Sequence, residues 1–186
     1  MQLIRKGFTL IELVIVIGVI GIIATILLLN INPGETQRKA RDTQRIKDAT
    51  TLQFILEQLL NEGATIPSTT NTIGASGGAW SNTAARTKSC SNSPQNWLGV
   101  DVCNFVNNIP VDPLDGRTIR VVSGGTIDTP TFSNLVARYG VRVNGTDYEI
   151  VVRQESSGNA DKVLEDGGDS TQWRELYSGV NDLITN

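Results

Sequence analysis

The chain has 186 residues, enough for one domain and a membrane segment, and a formal net charge of −3. It contains no histidine, which excludes Ser-His-Asp and Cys-His catalysis and removes the commonest zinc ligand. Residues 51–186 hold nine Lys/Arg against fifteen Asp/Glu, so no nucleic-acid site is evident in the part expected to form a soluble domain.

The first predicted element is an apolar run of 24 residues, 8–31, whose single ionisable side chain is Glu12. A helix of this length rises about 36 Å, which spans the hydrocarbon core of a bilayer. A carboxylate inside a membrane costs about 2.5–3.5 kcal/mol. Glu12 therefore needs a partner, unless it extends to the headgroups from its place near the end of the span.

Three kinds of membrane segment compete for this run. A secretory signal peptide has a shorter apolar region, followed by a small-x-small cleavage site, and Leu29-Asn30-Ile31-Asn32 offers none. A plain anchor helix has no use for Glu12. The third kind is a precursor that is cut on the N-terminal side of the apolar run, and the residues favour it.

The segment Lys6-Gly7-Phe8-Thr9-Leu10-Ile11-Glu12-Leu13 resembles the processing site of type IV prepilins and the related pseudopilins. The resemblance implies that residues 1–7 are a leader peptide. It also implies that a membrane-embedded prepilin peptidase cuts between Gly7 and Phe8 and N-methylates Phe8. In a bundle of such helices, Glu12 of one subunit can pair with the cationic Phe8 amine of the next, and the pairing fixes the axial register.

Basic residues lie on both sides of the span. Arg5 and Lys6 precede it, but five Lys/Arg follow within residues 38–47, and their count alone favours a cytoplasmic C-terminal side. The prepilin resemblance requires the opposite orientation, with the C-terminal domain exported. We expect the exported orientation.

A second, amphipathic helix is predicted over 32–62. Asn32 is a good N-cap followed by Pro33, and Gly63 suits the left-handed cap at the other end. An apolar stripe with helical period must be buried against the domain; it comprises Leu52, Ile55, Leu56, Leu59 and Leu60. The polar stretch 35–48 is either a solvated surface with local ion pairs or a contact for neighbouring subunits or anionic lipid.

Residues 63–117 are predicted to form a long loop, rich in small and polar residues up to residue 99 and held to the domain by Trp80 and Trp97. Cys90 and Cys103, with twelve residues between them, favour one disulfide in an exported domain; the alternative is two unpaired thiols. Pro110-Val111-Asp112-Pro113 near the end of this loop resembles a Pro-x-Asp-Pro element of many pseudopilins and Gram-positive-type pilins.

Three strands with a two-residue period follow, at 118–122, at 135–143 and around Tyr148–Val152, with a hairpin turn at Asn144-Gly145. The pattern places Glu149 on the wet face. Packing the helical stripe across this antiparallel sheet satisfies both apolar surfaces. The expected fold is therefore α+β and pilin-like, with a long N-terminal helix on a sheet of three to four strands, within a globular domain at 63–186.

The C-terminal residues 154–186 are predicted to form a loop that carries several carboxylates: Asp161, Glu165, Asp166 and Asp169. Carboxylate oxygens in a Gly-rich loop can bind calcium, although the spacing matches no EF-hand. Resemblance to the major pseudopilins also implies a calcium site in such a loop. The alternative is a solvated acidic loop without a cofactor.

The sequence thus predicts a structural subunit of a type IV pilus-like filament, not an enzyme. Its implied partners are other copies of itself, the prepilin peptidase, and a pilus assembly platform with its ATPase. The precursor is expected in the cytoplasmic membrane and the mature subunit in an extracellular filament. A pseudopilin of a type II secretion-like system is one alternative, and a tethered binding domain that never polymerises is another.

Overall fold

A computed structural model describes residues 8–30, 32–64, 88–91 and 96–179, with the backbone alone for residues 28–30. The chain divides into two compact units, Met1–Thr36 and Gln37–Asn186. The first unit holds the apolar helix. The second holds most of the next helix, two antiparallel sheets and their connections.

The apolar segment forms helix α1, Leu10–Asn30. Its window Leu10–Leu27 has a mean hydropathy of 2.9, and none of that window is buried within the chain. Such a helix is long and apolar enough to cross a membrane. Within Leu10–Leu27 no described part of the chain buries the Leu, Ile and Val side chains, which suits contact with lipid or with another protein.

Helix α2, Pro33–Asn61, begins where the sequence predicts. The Asn32 side chain accepts a hydrogen bond from the Glu35 N–H at 3.2 Å, which satisfies one of the free donors of the first turn. At the other end Gly63 adopts φ +70°, the left-handed conformation that ends many helices. Both predicted caps are confirmed.

Among the described residues, five strands form two antiparallel sheets. Strands β1 (Thr118–Gly125) and β2 (Pro130–Val136) make a two-stranded ribbon. Strands β3 (Gly140–Asn144), β4 (Asp147–Val152) and β5 (Arg174–Tyr177) make a sheet with β4 in the centre. Between β4 and β5 lie a short 3₁₀ turn, Ser157–Asn159, and the one-turn helix α3, Asp161–Leu164.

The main core joins α2 to the three-stranded sheet, so the expected α+β packing of helix on sheet is confirmed. The stripe on α2 that includes Leu52, Ile55 and Leu56 lies in one buried cluster with Tyr139 and Ile150. Trp97 is also buried in this cluster and donates from its indole N–H to the Pro110 carbonyl at 3.0 Å. Trp80, which the sequence suggests as a second anchor, lies outside the described residues.

The predicted strand over 135–143 is wrong, because the chain changes sheets within it. β2 ends at Val136 and β3 begins at Gly140. Ala137 packs in a small cluster with Ile119 and Val121, whereas Tyr139 packs in the main core. Ala137, Tyr139 and Val141 are all buried, so the two-residue spacing of buried apolar side chains continues through this change and cannot reveal it.

Two further expectations need correction. The hairpin between β3 and β4 forms, but Asn144 pairs with Asp147, so the two-residue loop is Gly145-Thr146, one residue later than predicted. The region 154–179 is not one loop, since it contains α3 and β5. β5 has only four residues and two are charged, too short and too polar for pattern analysis to detect.

The polar stretch of α2 is also not a fully solvated surface. Asp42 and Arg45 are buried. Arg45 donates to Asp42, to Asp112 and, from Nη1 at 2.6 Å, to Glu155. Arg41 donates twice to Glu155, at 2.8 and 2.6 Å. This ionic cluster of five side chains fastens α2 to the Pro110–Pro113 turn and to the chain after β4.

Candidate processing and assembly site

The site predicted from the sequence lies at the start of α1. Phe8 is the first described residue and 86% of its surface is exposed. Gly7, on the other side of the predicted scissile bond, lies outside the described residues. Nothing within the described part of the chain covers Phe8, so its side chain and backbone are open to another protein.

Thr9 and Glu12 form a capping box at the N-terminus of α1. The Thr9 N–H donates to Glu12 Oε2 at 2.8 Å, and the Thr9 hydroxyl donates to the same oxygen at 2.7 Å. In return the Glu12 N–H donates to Thr9 Oγ1 at 3.3 Å. This reciprocal pattern is typical of Thr-x-x-Glu at a helix start. The signal was present in the sequence, but our sequence analysis did not assign a role to Thr9.

The capping box holds Glu12 where a negative charge is favoured. The free N–H groups of a helix start carry a partial positive charge, which stabilises a nearby carboxylate. Both hydrogen bonds from Thr9 end on Oε2, and a carboxylate offers about four acceptor positions. Glu12 can therefore accept a further donor, such as an α-amine, without giving up its cap.

Two positions on the surface of α1, Gly18 and Gly21, carry no side chain among the branched ones around them. A Cβ built on Gly18 or on Gly21 meets nothing within 4 Å. Both glycines thus lie on open helix surface, where the lack of a side chain allows another helix to approach closely. The Thr25 hydroxyl is satisfied within the helix by the Gly21 carbonyl at 2.8 Å.

Cys90 and Cys103 form a disulfide with their Cα atoms 4.7 Å apart, as the sequence predicts. The Val102 N–H also donates to the Cys90 carbonyl at 3.0 Å, so a hydrogen bond lies beside the covalent link. Asn96 is buried and its side-chain amide donates to three carbonyls, of Cys90, Ser91 and Val100. The disulfide thereby belongs to a packed loop against the main core.

The four predicted calcium ligands are not gathered together. Asp161 pairs with Lys162 at 3.3 Å, and Asp166 accepts from the N–H groups of Gly168 and Glu175. Glu165 lies beside an open pocket of about 360 Å³ next to the β1–β2 turn. Asp169 lies instead near Glu149 and Glu175, where one carboxylate oxygen of each residue lies within 4.8 Å of the others.

Comparison with known proteins adds one finding at the N-terminus. No solved structure matches the chain. Residues 4–28 match the family model of the prokaryotic N-terminal methylation motif. The match spans the predicted cleavage position, the capping box and most of α1. The motif points to a structural, pilin-type protein, and together with the apolar helix it supports membrane insertion as a precursor. The chain therefore carries a type IV prepilin-like signal at residues 4–28.

Proposed function

We propose that this chain is a structural subunit of a type IV pilus-like filament. Prepilin peptidase cuts the membrane-inserted precursor between Gly7 and Phe8 and methylates the new amine. An assembly platform with its ATPase then moves the subunit from the cytoplasmic membrane into an extracellular filament. The apolar helices form the filament core, and the α+β domains, including residues 63–186, form its outside.

One observation carries the proposal: the methylation motif at 4–28 contains most of α1, a helix whose window Leu10–Leu27 is not buried by any described part of the chain. A tethered domain needs an apolar helix for the bilayer, but it needs no carboxylate in the first turn. Glu12 is held by its cap with capacity for one more donor. The amine released by cleavage at Phe8 is the donor that processing would supply to a neighbouring copy.

The first test is mass spectrometry of the protein from its native cells. The proposal expects a mature chain that begins at N-methylated Phe8 and is recovered in filaments sheared from the cell surface. A mature chain that retains residues 1–7 contradicts it and favours a tethered domain. A processed chain that stays with the cell envelope and never enters sheared filaments favours a pseudopilin.

The second test replaces Glu12 by Ala and compares it with Glu62→Ala, an exposed acidic residue just beyond α2. Glu12→Ala should insert at least as well as the wild type, because it removes a charge from the span. It should nevertheless yield at least tenfold less sheared filament, while Glu62→Ala yields a normal amount. Equal filament from both variants is incompatible with the pairing of Glu12 and the Phe8 amine.

A further inference from the structure

A buried arginine lies at the junction of the two sheets. Arg153 directly follows β4, and only 4% of its surface is exposed. Its Nε donates to the carbonyl of Val136, the last residue of β2, at 3.1 Å. Its guanidinium carbon lies 3.5 Å from the centre of the ring of Trp173, the residue before β5. The side chain therefore connects the end of the ribbon with the edge of the three-stranded sheet.

One donor of this arginine has no acceptor. Nη1 of Arg153 is buried and makes no hydrogen bond within the described part of the chain. A buried donor that lacks an acceptor is costly, and the cost is larger for a charged group. Arg45, which is also buried, shows the usual solution, because its Nε, Nη1 and Nη2 all donate to carboxylates. The unused donor of Arg153 points to an acceptor from outside the described residues.

A second arginine faces Arg153 across the sheet. Gly140 on β3 pairs with Val151 on β4, and continuing this antiparallel register by two residues places Arg138 opposite Arg153. Arg138 lies in the connection between β2 and β3 and is partly exposed. Like charges directly opposite one another destabilise a sheet. The junction therefore brings two positive charges together.

Nearby carboxylates offset this positive charge only in part. Burial is the main cause that lowers the pKa of Arg153 to about 9; the charge of Arg138 acts in the same direction, and Asp112 opposes both. Asp112 is already the bidentate partner of Arg45. Burial also lowers the pKa of Arg138, although Asp115 attracts its charge. A bound anion would stabilise the charged form of both arginines.

We propose that Arg153 and Arg138 bind one small oxyanion of the phosphate or sulfate type at the junction of the two sheets. A guanidinium presents its N–H donors in a planar fork, which suits the oxygens of such an ion. Trp173 covers one face of the Arg153 guanidinium, and Nη1 at its edge would donate to the ion. The ion must be small because Arg153 is almost wholly buried, and it would enter beside the partly exposed Arg138.

The ion would fasten the β1–β2 ribbon to the three-stranded sheet. Arg153 already bonds the end of β2, and Arg138 lies in the chain that connects the two sheets. This role does not depend on assembly, since a tethered domain could bind the same ion. The inference therefore goes beyond the proposed function, and either can fail without the other.

The test uses the full chain in detergent, dialysed into a sodium chloride buffer that is free of phosphate and sulfate. Isothermal titration with sodium phosphate or sodium sulfate, at constant ionic strength, should show one ion per chain. At a phosphate concentration 100 times the dissociation constant, the midpoint of thermal unfolding should rise by about 5–10 °C.

Both anions also stabilise proteins by exclusion from their surface, so only a shift that saturates together with binding supports the site. A shift that does not saturate, without stoichiometric binding, overturns the proposal and leaves a buried water as the acceptor of Nη1. Phosphate is also carried by lipid headgroups, which micelles containing phosphatidylglycerol supply without free phosphate. A response to these micelles but not to dissolved phosphate would overturn the small ion and assign the arginines to a headgroup.

The variants Arg153→Gln and Arg138→Gln should each lose at least tenfold in affinity for phosphate. Arg120→Gln is the matched control, because Arg120 also stacks on an aromatic ring, 3.4 Å from the centre of Phe132, but is exposed on the ribbon. It should bind phosphate like the wild type. An Arg153→Gln variant that unfolds cooperatively and keeps the wild-type affinity contradicts the proposal. If Arg153→Gln does not fold, Arg138→Gln decides, since wild-type affinity in that variant contradicts the pair.

Discussion

Arg45 and Asp112, 67 residues apart in the chain, form a bidentate pair that is wholly buried. Arg45 Nε donates to Asp112 Oδ2 at 2.7 Å, and Nη2 donates to Oδ1 at 3.0 Å. Burial opposes the charge of Arg45, but the hydrogen bonds that it donates to Asp112 and the charges of Asp112 and Glu155 outweigh burial and raise the pKa of the guanidinium. The arginine is therefore charged at every accessible pH and holds α2 to the Pro110–Pro113 turn.

Replacing Arg45 by Ala should strongly destabilise the fold. It leaves the carboxylates of Asp42 and Asp112 buried without their main cation, and removal of one partner from a buried pair costs about 3–5 kcal/mol. Denaturant unfolding, followed by tryptophan fluorescence of the full chain in detergent, measures the change in the free energy of unfolding. Lys47→Ala, at an exposed position two residues away, should change it by less than about 0.5 kcal/mol. A loss below about 1 kcal/mol for Arg45→Ala would show that the pair does not hold the helix.

The same cluster should make stability depend on acid pH through Glu155. Burial raises the pKa of this carboxyl, but hydrogen bonds from Arg41 and Arg45 and their charges outweigh burial and lower it below its ordinary value of 4.5. A carboxyl whose pKa is lower in the folded state than in the unfolded state stabilises the fold. This stabilisation is complete at pH values above the pKa that the group has in the unfolded state. That contribution is lost as the pH falls through the folded value.

Unfolding should therefore become easier as the pH is lowered from about 5 toward 3, and Glu155→Gln should reduce that dependence while lowering stability at pH 7. Its amide cannot accept from both arginines as a carboxylate does. Free energies of unfolding measured at several pH values provide the comparison, with the exposed Glu62→Gln as control. If Glu155→Gln and wild type lose stability in parallel below pH 5, this carboxyl is not responsible.

The capping box predicts a local effect of Thr9→Ala at the start of α1. The variant loses the hydroxyl that donates to Glu12 and that accepts from its N–H. Loss of an N-cap side chain costs about 1 kcal/mol, which corresponds to a roughly fivefold larger equilibrium constant for opening of the first turn. Amide hydrogen exchange of residues 11–13 in detergent micelles measures it.

Thr25→Ala is the control for this change, because its hydroxyl bonds a carbonyl inside the helix rather than capping it. It should leave exchange at residues 11–13 unaltered. Equal protection in Thr9→Ala and wild type would mean that the cap does not form in the membrane-like environment.

The sequence predicted those elements whose signals are local. The caps at Asn32 and Gly63 depend on residues within one turn, and the α2 stripe repeats often enough to define a helix face. The change of sheet at 137–139 depends on which cluster buries Ala137 and which buries Tyr139. No local pattern carries that information, because both residues are buried either way.

Charged residues show more clearly which contacts a local sequence pattern cannot predict. Alternation placed Glu149 on the wet face of its strand, yet Glu149 is fully buried, and Asp169 of the loop before β5 lies close to its carboxylate. Arg45 lies in a polar helix segment, so the sequence pattern predicts that it is exposed. In the fold it is buried, and Asp112 and Glu155 are its partners. The pairing of distant charges is decided by the assembled fold, so the sequence could suggest acidic candidates but not the set that meets.

Reduction of the Cys90–Cys103 disulfide should destabilise the domain measurably but not unfold it. In the chain-entropy model, a closed loop of about 15 residues contributes about 3 kcal/mol by restricting the unfolded chain. The surrounding loop keeps the Asn96 and Trp97 hydrogen bonds and the packing of Trp97 in the core, so the folded loop should persist. A midpoint of thermal unfolding lower by about 6–12 °C in reductant is the expected measurement.

The double variant Cys90→Ser with Cys103→Ser should match the reduced protein and show no response to reductant, because the described residues contain no other cysteine. If the double variant equals the oxidised wild type in stability, the covalent link contributes nothing beyond the hydrogen bonds around it.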